Sequence, residues 1–502
     1  MRSSVSMKIF SAPQIRARDA FTIENEPVSS VSLMNRASGI FTRWFISRYP
    51  DQSRPVVVMA GTGNNGGDGV AVVRLLNEAQ FAAKLAVCDF DTRHSADFDA
   101  QMTLLRADIK PVILKNTREA AAFLQELPED TLFIDALFGT GLNRPLGGEW
   151  AVLVELLNAY PGEKVSIDMP SGLLADHITP GSAVIRADRT FTFETPKRAF
   201  FFPENEQFTG KWEYDSIGLH PDFAEITDTP FYYLTGDDAR KMEKTRAVFS
   251  HKGSHGHALI IAGSYGKMGA AVLASRACLR AGAGLLTIHA PRCGYVVLQT
   301  AVPEAMYSPD HRAQILSDIP DLSPFNAVGI GPGIGQSPET ARALEKLLCQ
   351  CHVPLLLDAD ALNLLALNRD WFDLLPENTI MTPHPKEFER LFGKTTDSFA
   401  RNDLQREMAQ RYRTVIVLKG ACTAVALPDG TCWFNSTGNP AMATAGAGDV
   451  LTGIITGLLA QGYTPGDAAR LGVWAHGAAG DRAVEATGRK SLIAGDLVEW
   501  YR

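Results

Sequence analysis

Residues 443–453 read ATAGAGDVLTG: small residues lead to one aspartate, Asp449, and the apolar run that follows is expected to open a helix. Gly446, Ala447 and Gly448 carry little bulk, so their backbone N–H groups can face an approaching phosphate, helped by the positive end of that helix. A carboxylate beside a phosphate is repulsive. Asp449 makes sense there if it draws a proton from a hydroxyl that attacks phosphorus. The competing reading is an ordinary first-turn acid on a closely packed helix.

Upstream of this stretch, the runs HALIIAGS, AGLLTIHAP, NAVGIGPG, PLLLDADALN, TIMTPHP, TVIVLKG and CTAVALPDG alternate with amphipathic segments, and three helical segments close the chain. An earlier series, PVVVMAG, KLAVCDF, TLFIDALFG, KVSIDMPSG and RTFTFETP, follows two helical patterns, one after Ser11 and one over residues 30–49. Continuous apolar strands alternating with helices predict parallel sheets covered on both faces, hence two α/β domains. Between 210 and 240 the period is lost among Pro, Asp and Thr. The expected division is a domain over 1–218, a linker over 219–240 and a second domain over 241–502. In GSYGKMG, Met268 stands where a P-loop requires Ser or Thr, which excludes that motif.

In AGTGNNGGDG, Gly61, Gly63 and Gly66 satisfy G-x-G-x-x-G, with Asp89 at the end of the next strand, so a dinucleotide-binding dehydrogenase has to be considered. Asn64, Asn65 and Asp68 crowd the same turn. A carboxylate there would repel a pyrophosphate, while carboxamide and carboxylate oxygens suit a hard cation as well as a ligand. The plain reading is a tight strand–helix turn with Asp68 as a first-turn acid. Two more strand ends carry polar groups: Asp135 precedes Gly139-Thr140-Gly141, and Asp168 and Ser171 lie in SIDMPSG. All three would meet at the carboxyl edge of one sheet, although Asp168 could also cap the turn at 170–172.

The chain has 502 residues, 45% of them apolar and 21% charged, with net charge -8, which argues against nucleic acid or anionic membranes as partners. The seven cysteines include no C-x-x-C pair, so neither a disulfide framework nor a zinc site is indicated and a reducing cytoplasm is expected. Cys349 and Cys351 read as inert. No run reaches the roughly 18 apolar residues of a membrane span. The start MRSSVSMKIF lacks a signal-peptide core and leaves Met1 and Met7 as alternative starts. A homo-oligomer binding small molecules is expected.

GTGNNGGDG, DALFGTGLNRP, SIDMPSG and TFETPKRAF together resemble the NAD(P)H-hydrate epimerase family over most of residues 8–218. The resemblance implies a Rossmann-like, three-layer domain that interconverts the R and S forms of hydrated NADH or NADPH. It implies that Asn64, Asn65, Gly66, Gly67 and Asp68, with Gly139, Thr140, Gly141, Leu142, Asn143, Arg144 and Pro145, bind the hydrate. Asn65, Asp135 and Ser171 would hold potassium, and Asp168 would contact the substrate as the acid–base group.

AGAGDVLTGIITGLLAQG, LKG and GPGIG are similar to the ribokinase-like superfamily. GSYGKMGAA, TPHPKEFERL and NSTGNPAMATAGAGDVLTG narrow the resemblance to NAD(P)H-hydrate dehydratases over about 251–496. That family implies hydrate contacts from Ala270, Gly333, His384 and Asp449, and an adenine nucleotide held by Lys419, Gly420, Ala421, Cys422, Thr423 and Gly448. It implies phosphorylation of the C6 hydroxyl with Asp449 as base, then loss of phosphate, with Mg2+ accompanying the nucleotide and ADP favoured as co-substrate.

Lys386 departs from the family's usual TPHPGE, and Ala447 matches sugar kinases instead. His384 could be a plain loop histidine and Lys419 a solvated charge. The rival functions are a small-alcohol or vitamin kinase with a fused nucleotide-binding domain, and a nucleotide-sensing or partner-binding module.

Overall fold

The strand Val56–Ala60 is buried at every position, and its alternation sorts side chains to two faces. Val56, Val58 and Ala60 pack with Phe41, Phe45 and Leu76 from the helices Ser30–Arg48 and Asn64–Glu78. Val57 and Met59 pack with Ala120, Leu124, Leu153 and Leu157 from Thr117–Gln125 and Gly148–Ala159. A strand apolar on both sides therefore needs helices on both sides, which is the three-layer arrangement expected.

In this computed structural model, which describes residues 6–91, 93–181 and 183–502, the chain divides into two units at Thr229 and Pro230. The sheet of the first unit runs Val112–Leu114, Ala83–Cys88, Val56–Ala60, Leu132–Ala136, Lys164–Ile167, Arg189–Phe193, Lys211–Asp215, all parallel. The chain reverses its progress across the sheet at Val56–Ala60. A crevice consequently opens where that strand and Leu132–Ala136 end.

The second unit repeats the logic with the same order of its seven parallel strands. Parallel strands run Val415–Leu418, Ile380–Met381, Leu355–Leu357, Ala327–Ile330, His257–Ile261, Leu285–Ala290, Met306–Pro309. Beyond Val415–Leu418 the strands Ala424–Ala426 and Cys432–Asn435 join antiparallel, and Phe231–Leu234 pairs parallel with the latter. The reversal here falls between His257–Ile261 and Ala327–Ile330, again at glycine loops. Helices Met268–Arg280, Ala447–Ala460 and Pro465–Thr487 cover one face, with Pro338–Gln350, Ala359–Leu367 and Pro385–Phe392 on the other.

The stretch expected as a linker, 219–240, is ordered structure. Asp222–Ile226 is helical and packs Phe223 against Phe10 and Phe21, at ring separations of 5.5 and 5.7 Å. Phe231–Leu234 is a strand of the second sheet, and the helix Gly236–Met242 starts from a capping box between Thr235 and Asp238. Of the Thr and Asp residues read as loop punctuation, Thr235 and Asp238 are a helix cap, and the elements are too short to show a period. All seven cysteines are free. Among the described residues no helix is long and apolar enough to cross a membrane.

The helices Met268–Arg280 and Ala447–Ala460 approach so closely that a Cβ on Gly453 would lie 2.0 Å from the Ala274 carbonyl oxygen, and one on Gly457 2.6 Å from that of Cys278. This seam holds the start of Ala447–Ala460, and with it Asp449, against the rest of the unit. Gly453→Ala is expected to cost about 1–3 kcal/mol by overpacking and to lower the urea midpoint of the second unit. An unchanged midpoint would mean that the helices separate freely.

Candidate active sites

In the first unit the loop after Val56–Ala60 turns into the helix Asn64–Glu78 with Gly63 at the N-cap. The turn is so tight that a Cβ on Gly66 would fall 1.8 Å from the Gly61 carbonyl oxygen, and one on Gly61 2.4 Å from that of Leu137. The glycine fingerprint is thus a packing requirement between two strand ends. Beyond it lies a cavity of about 880 Å³, which Asn64, Asn65, Asp68, Asp168 and every residue from Gly139 to Arg144 line. Gly66, Gly67 and Pro145 lie outside the lining. Gly67 instead faces Met34, whose sulfur would be 2.8 Å from an added Cβ. Asp68 sits in the second helical turn, past the first-turn position, and accepts a hydrogen bond from Ser38 Oγ at 3.2 Å. Burial, reinforced by the Asp168 charge, raises its carboxyl well above the usual range.

Asp168 follows the strand Lys164–Ile167 with φ of 64°, a left-handed conformation that a non-glycine residue adopts at some cost. That backbone turns the side chain onto the next strand. Its Oδ1 accepts from Lys197 Nζ at 2.7 Å, Thr192 Oγ1 at 3.1 Å and the Phe193 amide at 3.3 Å. Oδ2 has no protein donor among the described residues. Lys197 is only 2% exposed and also donates to Thr192 Oγ1 and to the Phe193 and Thr195 carbonyls. Sequence reasoning passed over this lysine, although the motif TFETPKRAF contains it. Asp168 does not cap its own turn.

Asp135 and Ser171 are buried and do not line the cavity. Asp135 accepts from Ser171 Oγ at 2.5 Å, the Ser171 amide at 2.8 Å and Ser166 Oγ at 2.8 Å, while the Phe138 amide donates to Ser171 Oγ at 2.8 Å. Burial raises the Asp135 carboxyl, and the two serines oppose the rise. Asn65 Nδ2 is buried without a partner, and its Oδ1 lies 3.2 Å from where a Gly139 Cβ would be. Among the described residues no group of three or more His, Cys, Asp or Glu could hold a metal. The donors here are one carboxylate and several neutral oxygens.

In the second unit Gly446 enters the helix Ala447–Ala460 with φ of 87°, a turn that favours glycine, and Asp449 lies in the first turn without forming a cap. Its carboxyl has no hydrogen-bond partner among the described residues. Burial, with the nearby Asp358 charge, pushes it up to about 6 against the pull of Lys419. Lys419 is not a solvated charge. Its Nζ donates to Asp358 Oδ1 at 2.8 Å and lies 3.9 Å from Glu387 Oε2, and those carboxylates raise it against the cost of burial. Asp358, 1% exposed at the end of Leu355–Leu357, also accepts from Thr382 Oγ1 and Thr452 Oγ1, each at 2.8 Å. A Cβ on Gly448 would lie 3.5 Å from Lys419 Nζ, so the glycine leaves the ammonium and the helix N-terminus open to each other.

His384 caps the helix Pro385–Phe392. Its Nδ1 accepts from the Lys386 and Glu387 amides at 3.1 and 3.3 Å, and its own amide donates to Glu387 Oε2 at 2.8 Å. Burial lowers its pKa despite Glu387, which favours the neutral ring that this acceptor role requires. Lys386, the departure from the family pattern, contributes a backbone amide to the cap. Ala270 and Gly333 meet at the neighbouring strand end, where a Cβ on Gly333 would lie 3.4 Å from Ala270 Cβ. Residues 420–423 form their own turn just after Lys419: Thr423 Oγ1 donates to the Gly420 carbonyl at 2.9 Å, and Ala421 and Cys422 form its tip. Asp358 and Glu387 went unassigned in the sequence although DADALN and TPHPKEF contain them.

Residues 258–500 match the family model described as NAD(P)H-hydrate dehydratase, and residues 30–199 match the YjeF-related protein N-terminus. The bifunctional NAD(P)H-hydrate repair enzyme of Moorella thermoacetica is 35% identical over 98% of this chain and 96% of its own. Its Escherichia coli counterpart is 36% identical over 98% and 93%. The solved ADP/ATP-dependent NAD(P)H-hydrate dehydratase of Bacillus subtilis, co-crystallised with ATP and Mg2+, is 33% identical, with TM-score 0.48 over 54% of this chain and 95% of that one. With near-complete coverage at this identity and a matching model in each unit, the chain belongs to the family of bifunctional NAD(P)H-hydrate repair enzymes.

Proposed function

We propose that the first unit interconverts the R and S hydrates of NADH and NADPH, and that the second dehydrates the S hydrate at the expense of ADP, releasing AMP and phosphate. One observation carries the reading: Asp449 is half-buried, unbonded and beside both an open helix N-terminus and the Lys419 ammonium. A small-molecule kinase would share that arrangement, but not a fused partner whose relatives act on the same compound.

In the second unit, Asp449 takes the proton of the C6 hydroxyl as its oxygen attacks the terminal phosphorus of ADP, and AMP leaves. The amides of Gly446 to Gly448 and Lys419 receive the charge of the migrating group. Phosphate then departs from C6 with the bonding pair, the N1 lone pair assists, and loss of a C5 proton restores the ring. Lys419, Gly420, Ala421, Cys422, Thr423 and Gly448 bind the nucleotide, which enters as its magnesium complex. Ala270, Gly333 and His384 bind the hydrate, His384 through Nε2 because Nδ1 is occupied by its helix cap.

In the first unit, Asn64, Asn65, Asp68 and the residues from Gly139 to Arg144, which line the cavity, bind the hydrate. N1 helps expel the C6 hydroxyl, and Asp168 exchanges the proton as water leaves and returns. Asp135, Ser171 and Asn65 would hold a potassium ion. They fit it in being oxygen donors around a single carboxylate, and a half-turn of the Asn65 carboxamide would replace the partnerless Nδ2 by Oδ1. Bound there, the ion would supply a fixed positive charge under the loop at 139–145.

Incubation of hydrated NADH with ADP is expected to restore reduced-nicotinamide absorbance; no recovery with ADP or ATP would reject the proposal. Because Asp449 accepts a proton only when ionised, and burial places it at about 6, S-hydrate turnover is expected to rise with pH through about 6 and then level. Asp449→Asn is expected to lose about 10²–10⁴-fold in turnover. For the first unit, Asp168→Asn is expected to slow R-hydrate use and spare S-hydrate use; equal effects on both forms would remove Asp168 from the mechanism. Exchanging potassium for lithium is expected to slow only the R form, and insensitivity to the cation would exclude the ion site.

A further inference from the structure

The helix Ala12–Asn25 turns one stripe toward the cavity of the first unit: Ile15, Asp19 and Ile23, each four residues from the next, all line it. Asp19 is therefore a carboxyl set between two isoleucines, and it has no hydrogen-bond partner among the described residues. Of its charged neighbours, Arg16 lines the same cavity, and three others are held by partners. Arg18 is bound to Glu194 at 2.8 Å, Lys197 to Asp168 and Asp68 to Ser38. Asp168 reaches the same space from the sheet, with Oδ1 saturated and Oδ2 free.

We propose that Asp19 is a second catalytic acid–base group of the epimerisation, acting on the ring face opposite Asp168. This rests on the epimerase reading above. Inverting C6 means that oxygen leaves one face and returns to the other, so a proton is given on one side and taken on the other. A carboxylate fixed by a buried lysine serves one side only. The protonated Asp19 carboxyl donates to the departing hydroxyl, the C6–O bond breaks with its electron pair leaving on water, and the N1 lone pair forms the N1–C6 double bond. A second water attacks C6 from the other face, that electron pair returns to N1, and Asp168 takes the proton. Asp19 ends as carboxylate and Asp168 as acid, which is the starting state for the reverse direction; proton exchange with solvent resets the pair.

The charges around Asp19 suit this role. Burial and the Asp168 charge push it up to about 6, with Glu194 adding to the rise and Lys197 and Arg18 opposing it. It can therefore hold its proton close to neutrality and still release it. Asp68 also faces the cavity, but its hydrogen bond from Ser38 holds it in place.

The test follows equilibration of R and S hydrates by the full chain without nucleotide, read by chromatography. Asp19→Asn is expected to slow equilibration about 10²–10⁴-fold, with Asp19→Glu recovering part of the loss. The wild-type rate is expected to fall as pH rises above about 6, where the pair loses its shared proton, and the residual Asp19→Asn rate to lack that fall. A rate within about threefold of wild type in Asp19→Asn, or the same fall in that variant, overturns the proposal. So does a loss accompanied by a lowered melting midpoint with no recovery in Asp19→Glu, which makes the residue structural. If the wild type itself fails to equilibrate the hydrates, the epimerase reading fails instead.

Discussion

In each unit one carboxylate buried at the carboxyl end of a parallel strand is held by a lysine. Lys197 is spent on Asp168 and Lys419 on Asp358. The desolvation of either pair is offset by further donors, threonine hydroxyls in both cases, and removing one partner of such a pair costs about 3–5 kcal/mol. Once the lysine is committed, burial raises the remaining carboxyls in each crevice more than opposing charges and hydrogen bonds lower them. Asp449 in one unit and Asp19 and Asp68 in the other are raised for that reason. The same arrangement that stabilises the strand ends thus sorts the acids into held and responsive ones.

Much of both sites is legible because glycine patterns mark places where backbone approaches backbone. The fingerprint at 61–66 is such a case: its glycines are demanded by contacts to Gly61 and Leu137, whatever ligand lies beyond. Read as chemistry, it suggested a dehydrogenase. Read as geometry, it says only that a crevice opens there, and Asn65 and Asp68 are polar groups that line it. Asp89, the acid expected to bind a ribose in that rival reading, is tied to Lys115 and His94 and does not line the cavity.

The less legible parts depend on distant partners. Asp19 lies in an ordinary amphipathic helix, and nothing near it in sequence announces that Asp168 shares its cavity. Lys197 and Asp358 sit inside quoted motifs, yet a lysine after proline and an aspartate before a helix each have commonplace local explanations. The strands Val112–Leu114, Lys211–Asp215 and Met306–Pro309 escaped notice for a different reason. They are at the sheet edges, half-exposed, and lack the continuous apolar run that identifies the central strands.

Under the repair reading, the two crevices differ in what they do with one oxygen. Epimerisation returns it to the same carbon, so the site has to hold a transient cation and trade protons, for which carboxyls on different elements suffice. Dehydration has to prevent the return. Hydroxide is a poor leaving group that water replaces at once, whereas a phosphate ester departs with its charge already balanced by helix amides and Lys419. This is why the second unit needs an open helix N-terminus beside its base while the first does not. Gly446 makes the left-handed turn into that helix, and the missing side chain of Gly448 leaves Lys419 facing the helix N-terminus beside Asp449.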